Sequence, residues 1–376
     1  MVQDGIKKNN NPIRVLCVFS TLDRGGAETM CMNLYRHINR NEIQFDFVKH
    51  TSNRGAYEDE IEKMGGRIYE APRYKIYNHL KYCRWWKKHF ERHPEHQIIH
   101  GHFFTIAAIY FKVAKKQNRI TVGHSHCTPS DRKSLKEFAS RYLCVRMDKY
   151  SDARLACSQA AGEWIFKRDF FVLNNAIETQ KFIYSQSKRE KTRKTFHIYG
   201  RFVIGTVGRI MHQKNPLGIV EIFRATHDKQ PAAFLMWIGD GPMKKAAEIK
   251  VKEYGLEDSV LFLGVRSDVP DLLQAMDAFI LPSFYEGLGV AAVEAQASGL
   301  PCYVSDRVPK EAKVTENCYF LPVNEIDKWT ELLCEKQLAR ENQLNNIVES
   351  GYDIKDTSRW LSEFYKSLLI NSSEGI

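Results

Sequence analysis

Short apolar runs rich in Val, Ile, Leu and Phe alternate along this chain with stretches whose apolar residues return at helical spacing. The first run, Arg14–Phe19, predicts a buried strand, and later runs predict strands at Phe45–Val48, Arg67–Glu70, Ile98–His102, Ile120–Gly123, Ala153–Cys157 and Phe171–Leu173. Helical periodicity falls between them, over Ala27–Ile38, Tyr57–Met64, Ile76–Phe90, Thr105–Lys116, Ser134–Lys149 and Gln159–Phe166. A second alternation has strands at Phe202–Val207, Ala233–Ile238, Val260–Leu263, Ala278–Leu281, Cys302–Val304 and Tyr319–Leu321. Its helices cover Pro216–Thr226, Met243–Tyr254, Val269–Met276 and Val290–Ala297. Strand–helix alternation of this kind implies parallel sheets covered on both faces, hence an α/β class with two doubly wound domains. Between them, residues 184–199 are polar, basic and without apolar rhythm, as expected of a linker. The expected division is an N-terminal domain at 1–183, a linker at 184–200, a C-terminal domain at 201–356 and a final amphipathic helix within 357–376.

The stretch Phe279–Pro301 carries the most chemistry. Its apolar run stops at Pro282-Ser283, and a short loop then holds Glu286 before Gly287-Leu288-Gly289. Small helix formers follow from Val290, and Glu294 lies on that helix. A helix N-terminus offers unpaired N–H groups and the positive end of the dipole, and glycines let a ligand approach the backbone. The pattern suits a diphosphate at the helix end with a carboxylate on either side, although a crossover with two surface glutamates would read the same. A second turn, Gly25-Gly26, stands between the first strand and its helix. It has neither the spacing of a dinucleotide fingerprint nor a P-loop lysine.

Length, charge and cysteines narrow the class. A chain of 376 residues suits two domains, and 43% apolar with 27% charged residues fits a globular protein. The formal charge of +10 favours an anionic partner. Nine cysteines form no C-x-x-C pair, build no zinc spacing, and fit reduced thiols. The first ten residues show no signal-peptide pattern and no stretch is long enough to span a bilayer, so a cytoplasmic setting is expected.

Five sets of residues together resemble glycosyltransferase family 4, whose members have the GT-B fold. They are Glu286 and Glu294 at E-x7-E spacing, Gly208-Arg-Ile-Met-His-Gln-Lys-Asn215, Gly239-Asp-Gly-Pro242, Phe262-Leu-Gly264 and Arg24-Gly-Gly-Ala-Glu28. The start R-G-G-A-E-T-M, the strand end H-S-H and E-A-Q-A-S-G-L-P-C are similar to bacterial exopolysaccharide and capsule glycosyltransferases. The resemblance implies two Rossmann-like domains facing a central cleft, with the C-terminal helix returning to the N-terminal domain. It implies a retaining transferase that moves a hexose from a nucleotide diphosphate sugar, by default a UDP-sugar, to a polyprenyl-linked or oligosaccharide acceptor.

By the same resemblance Arg209 and Lys214 bind the donor diphosphate, Glu286 contacts the transferred hexose, and Glu294 holds the ribose hydroxyls. Amides of Gly287, Leu288 and Gly289 donate to phosphate, Gly25 and Gly26 close over it, and Val265 lies by the base. The catalytic histidine is sought at the strand end Gly123-His124-Ser125-His126. Strand alternation puts His124 and His126 on one side, so periodicity does not choose between them. The resemblance favours His126, with His124 as the second candidate, while His100 and His102 are read as cleft lining or core. No metal-ligand cluster stands out, the resemblance implies metal independence, and no cofactor is expected beyond the nucleotide-sugar substrate.

Lys75–His93 mixes Lys and Arg with Tyr77, Tyr82, Trp85, Trp86 and Phe90. It reads either as a helix lying on an anionic membrane surface, making the protein peripheral on the inner face of the cell membrane, or as a crossover helix facing its own sheet. Arg132–Lys149 would extend such a basic face. Competing classes fare worse. A catalytically inactive GT-B subunit serving polysaccharide assembly would be expected to lack Glu286, Arg209 or Lys214. An NAD-dependent oxidoreductase would need the fingerprint that Thr21–Gly26 lacks, and no nucleic-acid motif accompanies the charge.

Overall fold

The apolar runs of the first half form parallel strands β1 (Ile13–Val18), β2 (Ile43–Lys49), β3 (Ile68–Glu70), β4 (His96–Gly101), β5 (Ile120–Ser125), β6 (Ala153–Ala156) and β7 (Phe171–Val172). Those of the second half form β8 (Phe202–Val207), β9 (Ala233–Ile238), β10 (Val260–Phe262), β11 (Ala278–Leu281), β12 (Cys302–Ser305) and β13 (Cys318–Leu321). The structure is a computed structural model, and it describes residues 11–102, 106–126, 145–335 and 340–374. The chain forms two units, Met1–Ala176 with Ile354–Ile376, and Ile177–Asp353.

The first sheet runs β3-β2-β1-β4-β5-β6-β7, the second β10-β9-β8-β11-β12-β13. In each, the chain builds outward from its first strand and then returns to that strand's other side. The loops after β1 and β4, and after β8 and β11, therefore part at the point where ligands bind in such sheets.

Strand alternation sorts the cores. In β1, Val15 and Cys17 join Phe45, Phe47, Tyr35 and Tyr365 on one face. Leu16 and Val18 join Ile99, Trp86, Phe90 and Tyr110 on the other. The second sheet divides likewise, Val203, Met236 and Phe279 against Ile204, Leu235 and Ile280. Each large side chain so buried contributes roughly 1.5–3 kcal/mol.

Of three expectations, two are corrected and one had been left open. Residues 186–195 of the supposed linker form a helix, Gln186–Thr195, within the second unit. Ser185 caps it by accepting from the Lys188 N–H. Arg189 and Arg193 pair with Asp277 at 2.5 and 3.1 Å, and Arg193 also donates to the Ala275 carbonyl at 2.8 Å. The basic run thus neutralises an aspartate and the carbonyl end of helix Val269–Ala275, contacts invisible in its own pattern.

The second concerns Lys75–His93, whose aromatics pack as in the crossover-helix reading. It begins as a 3-10 turn, Ile76–Asn78, followed by helix His79–Arg92. Tyr82, Trp86 and Phe90 are buried against their own sheet and Trp85 is partly exposed. The outward apolar residues are Ile76, Tyr77 and Leu80 at its start, 88%, 82% and 73% exposed. Most of Arg132–Lys149 lies outside the described residues, although 145–150 are helical. Third, the tail helix begins earlier than its apolar rhythm suggests, at Ile354, and reaches Glu374. No helix among the described residues is long and apolar enough to cross a membrane.

Candidate active site

In the second unit the matched motifs converge at the carboxyl edge of β8–β11. After β8 the backbone turns at Gly208 (φ 153°) and passes so close to Gly239 that a Cβ there would stand 1.9 Å from the Gly208 carbonyl oxygen. Ile210 N–H donates to the Asp240 carbonyl at 2.9 Å, Met243 N–H to Ile210 at 3.0 Å, and Gly239 N–H to Gly264 at 2.8 Å. Three loops are thereby laced together by backbone bonds, which places Arg209 and Val265 at one rim. Both are exposed, and Arg209 has no side-chain partner among the described residues.

Lys214 ends a 3-10 turn, His212–Lys214, before Asn215 in the left-handed region (φ 53°). The Asn215 side chain accepts from Gly218 N–H, and Pro216 opens the next helix. This turn is clamped to the Glu286 loop. Phe284 N–H donates to the Gln213 carbonyl at 2.8 Å, the Gln213 side chain donates to the Tyr285 carbonyl at 3.0 Å, and the His212 and Phe284 rings lie 5.1 Å apart. Lys214 Nζ donates to Glu286 Oε1 at 2.6 Å, and Ser283 Oγ donates to the same oxygen at 2.6 Å. Glu286 is buried and Lys214 is 21% exposed at its side chain. Desolvation makes such a pair costly unless its geometry is good, and the added hydroxyl helps fix it. Ser283 and Gln213 escaped the sequence reading. The serine's place directly after the strand-ending Pro282 was the available signal.

Gly289, left-handed at φ 89°, starts helix Val290–Ala297, and Leu288 is buried in the core beside it. The loop's amides, not the leucine side chain, are what this turn can offer a ligand. Glu294, one turn into the helix, is partly buried, and desolvation lifts its carboxyl to about 7. No described cation offsets that loss of hydration, whereas hydroxyl donors would.

In the first unit, Gly25 precedes helix Gly26–His37 and lies against Glu28, whose carboxyl is raised by desolvation. Gly26 is open, with nothing within 4 Å of a Cβ there. On the sheet face shared with Cys17, four histidines crowd the ends of β4 and β5. His100 Nε2 and His124 Nδ1 are 3.1 Å apart, His102 Nδ1 and His126 Nε2 are 2.8 Å apart, and His100 Nδ1 meets the Tyr365 hydroxyl at 2.6 Å. Burial pushes His100 and His126 down to about 3 and His102 and His124 well below their usual value, so all four stay neutral. His124 is fully buried, while His126 keeps partial exposure, a distinction periodicity lacked.

The expectation that no metal-ligand cluster stands out needs amendment. Folding brings Cys17, Cys31 and His102 together, and likewise His100, His102 and His124, with ligand atoms within 4.8 Å of one another. Sequence spacing could not reveal this, because the residues come from β1, a helix, β4, β5 and the loop after β4.

Comparisons with known proteins give the family and the fold. Residues 24–181 match the family model Glycosyltransferase Family 4, and residues 187–353 match Glycosyl transferases group 1. The chain is 30% identical over 386 aligned positions to the glycosyltransferase EpsF of Bacillus subtilis, covering 95% of this chain and 97% of that one. It is 25% identical to CapH of Staphylococcus aureus, a capsular polysaccharide biosynthesis glycosyltransferase, over 94% of this chain and 99% of the other. A further relative, the UDP-Gal:alpha-D-GlcNAc-diphosphoundecaprenol alpha-1,3-galactosyltransferase of Escherichia coli, is 28% identical over 53% of this chain and 54% of its own. Among solved structures, Anabaena HepE in complex with UDP and glucose superimposes with a TM-score of 0.79 at 18% identity, covering 94% of this chain and 100% of that one.

Proposed function

The chain belongs to glycosyltransferase family 4, has the GT-B fold and is similar to transferases of polysaccharide biosynthesis, and on that premise we propose that it moves a hexose from a UDP-sugar to a polyprenyl-diphosphate-linked acceptor with retention of configuration. The observation that carries this reading is the Lys214–Glu286 bond, which puts a cation and a buried carboxylate on two loops laced together at the sheet's reversal. Arg209 and Lys214 offset the diphosphate and stabilise the departing phosphate, supplying charge that other transferases take from a metal. Glu286 orients the hexose and favours positive charge on its ring, and Glu294 accepts from the ribose hydroxyls. Amides of Gly287, Leu288 and Gly289 face phosphate, and Val265 lies by the base. Gly25, Gly26 and His126 are the N-terminal unit's share of the reading.

In the step itself the bond from the sugar's anomeric carbon to the β-phosphate oxygen breaks. The acceptor hydroxyl oxygen bonds to that carbon on the same face, and its proton passes to the departing phosphate oxygen. Products are UDP and the glycoside. Lys214 exchanges Glu286 for phosphate as the donor arrives, which frees the carboxylate for the sugar.

The lipid-linked acceptor draws support from a cavity of about 980 Å³ in the first unit, lined by Arg73, Lys81, Tyr74, Trp85 and His50 among others. Arg73 and Lys81 are exposed and make no ion pair among the described residues. Beside it, Ile76, Tyr77 and Leu80 stand out in a cationic surround of Lys75, Lys81 and Arg84, which suits an anionic lipid surface. The name of the Escherichia coli relative describes a diphosphoundecaprenol acceptor.

A thermal-shift screen of nucleotide sugars tests the donor, since a ligand favouring the folded state raises its apparent stability. A rise with UDP-hexoses is expected, and no shift with any nucleoside diphosphate would sink the transferase reading. The product's anomeric configuration, read by NMR, tests retention. Cosedimentation with anionic and neutral vesicles tests the membrane face; binding that ignores lipid charge removes the electrostatic part.

A further inference from the structure

The amino edge of the second sheet holds a cavity of about 610 Å³, at the opposite ends of the strands from the donor motifs. Phe202 opens β8, Ala232 precedes β9 and Asp277 precedes β11, and all three line it. β8 is six residues long, so about 15–20 Å of strand separate this cavity from the Gly208 turn.

Four arginines, Arg189, Arg193, Arg201 and Arg340, line the cavity with a single carboxylate, Asp277. That carboxylate is already shared between Arg189 and Arg193, and its Oδ2 also accepts from the Val203 N–H at 2.7 Å. Arg340 has only neutral acceptors. Its Nη1 donates to the Gln274 carbonyl at 2.7 Å and to the Met276 carbonyl at 3.3 Å, while Nε and Nη2 donate to the Ser298 carbonyl. The guanidinium lies over the Tyr184 ring, 4.3 Å from its centre, and burial with Arg189 nearby pushes it down to about 9. Arg201 makes no side-chain hydrogen bond or ion pair among the described residues, and sits 5.8 Å from the centre of the Phe234 ring.

Capping of helix Val269–Ala275 explains part of this cluster. The carbonyl end of a helix carries roughly half a negative charge, and Asp277 adds one, so four cations keep a surplus of about two or more. Capping needs N–H donors and gains nothing from that surplus. Arginine's planar fork fits the oxygens of carboxylate or phosphate. One carboxylate would offset only part of the excess, whereas a phosphate monoester brings about two negative charges. The cavity is larger than a phosphate ion fills and has the size of small-molecule sites.

We propose that this cavity is a second anion site, which takes the phosphate of a small phosphorylated metabolite and is separate from the donor grip. Arg201 and Arg340 hold the phosphate, and Asp277 keeps Arg189 and Arg193 in place beside it.

Isothermal titration of the intact chain tests this, with UDP in excess to occupy the donor site and salt at about 0.15 M. Inorganic pyrophosphate should bind once per chain with a Kd below about 1 mM. Arg201→Gln should weaken that binding about tenfold and Arg201→Glu about a hundredfold. Neither should lower the urea midpoint, because the Arg201 side chain bonds to nothing in the free protein. Lys214→Met should leave pyrophosphate affinity within about twofold of wild type. A hexose phosphate or a nucleoside monophosphate should bind more tightly than orthophosphate. Pyrophosphate binding only above about 10 mM, or as tight in Arg201→Glu as in wild type, overturns the proposal. Loss of binding in Lys214→Met overturns it by moving the anion to the donor site. Citrate binding as tightly as pyrophosphate overturns the phosphate assignment, and esters binding no better than orthophosphate overturn the metabolite. If UDP gives no heat while pyrophosphate behaves as stated, the donor reading fails and this site stands.

Discussion

The two units share a strand order, β3-β2-β1-β4 in one and β10-β9-β8-β11 in the other, yet the edges where their sheets reverse are electrostatic opposites. The first gathers His100, His102, His124 and His126, all desolvated to neutrality. The second sets exposed Arg209 beside the Lys214–Glu286 pair and a carboxylate, Glu294, poised at about 7. Topology supplies the location in both cases, a crevice at the strands' carboxyl ends. The side chains decide what each crevice offers: neutral polar contacts in one, and in the other the charged groups proposed to hold a diphosphate.

Acid should separate the two units most strongly. Each quartet histidine has a folded pKa below the free value near 6.5, so its stabilisation is intact above about 6.5 and is lost progressively as pH falls below it. Four such groups imply a loss approaching roughly 5 kcal/mol per pH unit near pH 5. Urea unfolding followed unit by unit through hydrogen exchange should show the first unit weakening steeply between pH 6.5 and 5.5. The second, with no such cluster among its described residues, should change little. Parallel pH curves would end the contrast.

Next in size is Lys214→Met. It takes the cationic partner from buried Glu286, whose ion-paired oxygen also accepts from Ser283, and removes a cation from the proposed phosphate site. A loss of about 10²–10³ in kcat/KM is expected, with a stability cost of about 3 kcal/mol. Activity within threefold of wild type would remove the lysine from the reaction.

Glu294→Gln should split stability from binding. The carboxyl's folded pKa lies above its usual value, so its burial costs nothing below about 4.5, and the cost grows as pH rises through 7. At pH 8 the amide should therefore stabilise the free protein by about 2 kcal/mol while weakening nucleotide-sugar binding about tenfold. In wild type, hydroxyls donating to the carboxylate favour its charged form. Affinity for the nucleotide sugar, whose diphosphate diester does not titrate here, should fall about tenfold from pH 8 to pH 6. Glu294→Gln should flatten that slope, and calorimetry of both chains would decide it.

How much of this was legible depends on how far each signal travels along the chain. Strand and helix alternation is local, and so is E-x7-E, so the sheets and the Glu286–Glu294 loop could be read from spacing. Partners across the fold could not. Arg189 and Arg193 looked like solvent-facing linker charge because Asp277 is distant in sequence. Three of the five aromatics of Lys75–His93 turned inward, and the exposed apolar trio Ile76, Tyr77 and Leu80 sits in the 3-10 turn and first helical turn, where Ile76 and Leu80 drew no notice. His100 and His124 seemed interchangeable with their neighbours until burial and Tyr365 distinguished them.

Tyr365→Phe gives the smallest effect and the finest test of the contrast. The hydroxyl comes from the last helix, is fully buried, and meets His100 Nδ1 at 2.6 Å. Its removal keeps the ring in the core, so no cavity larger than an oxygen atom opens. What is lost is one hydrogen bond and the satisfaction of one buried nitrogen, together about 1–2 kcal/mol. That loss should appear in the urea midpoint of the first unit alone. The affinity for a nucleotide sugar should stay within twofold, because none of the groups proposed to hold the donor phosphate or ribose touches Tyr365. If the substitution weakened nucleotide binding as much as Glu294→Gln, the histidine face would have to belong to the donor grip, and the division between a neutral and a charged edge would collapse.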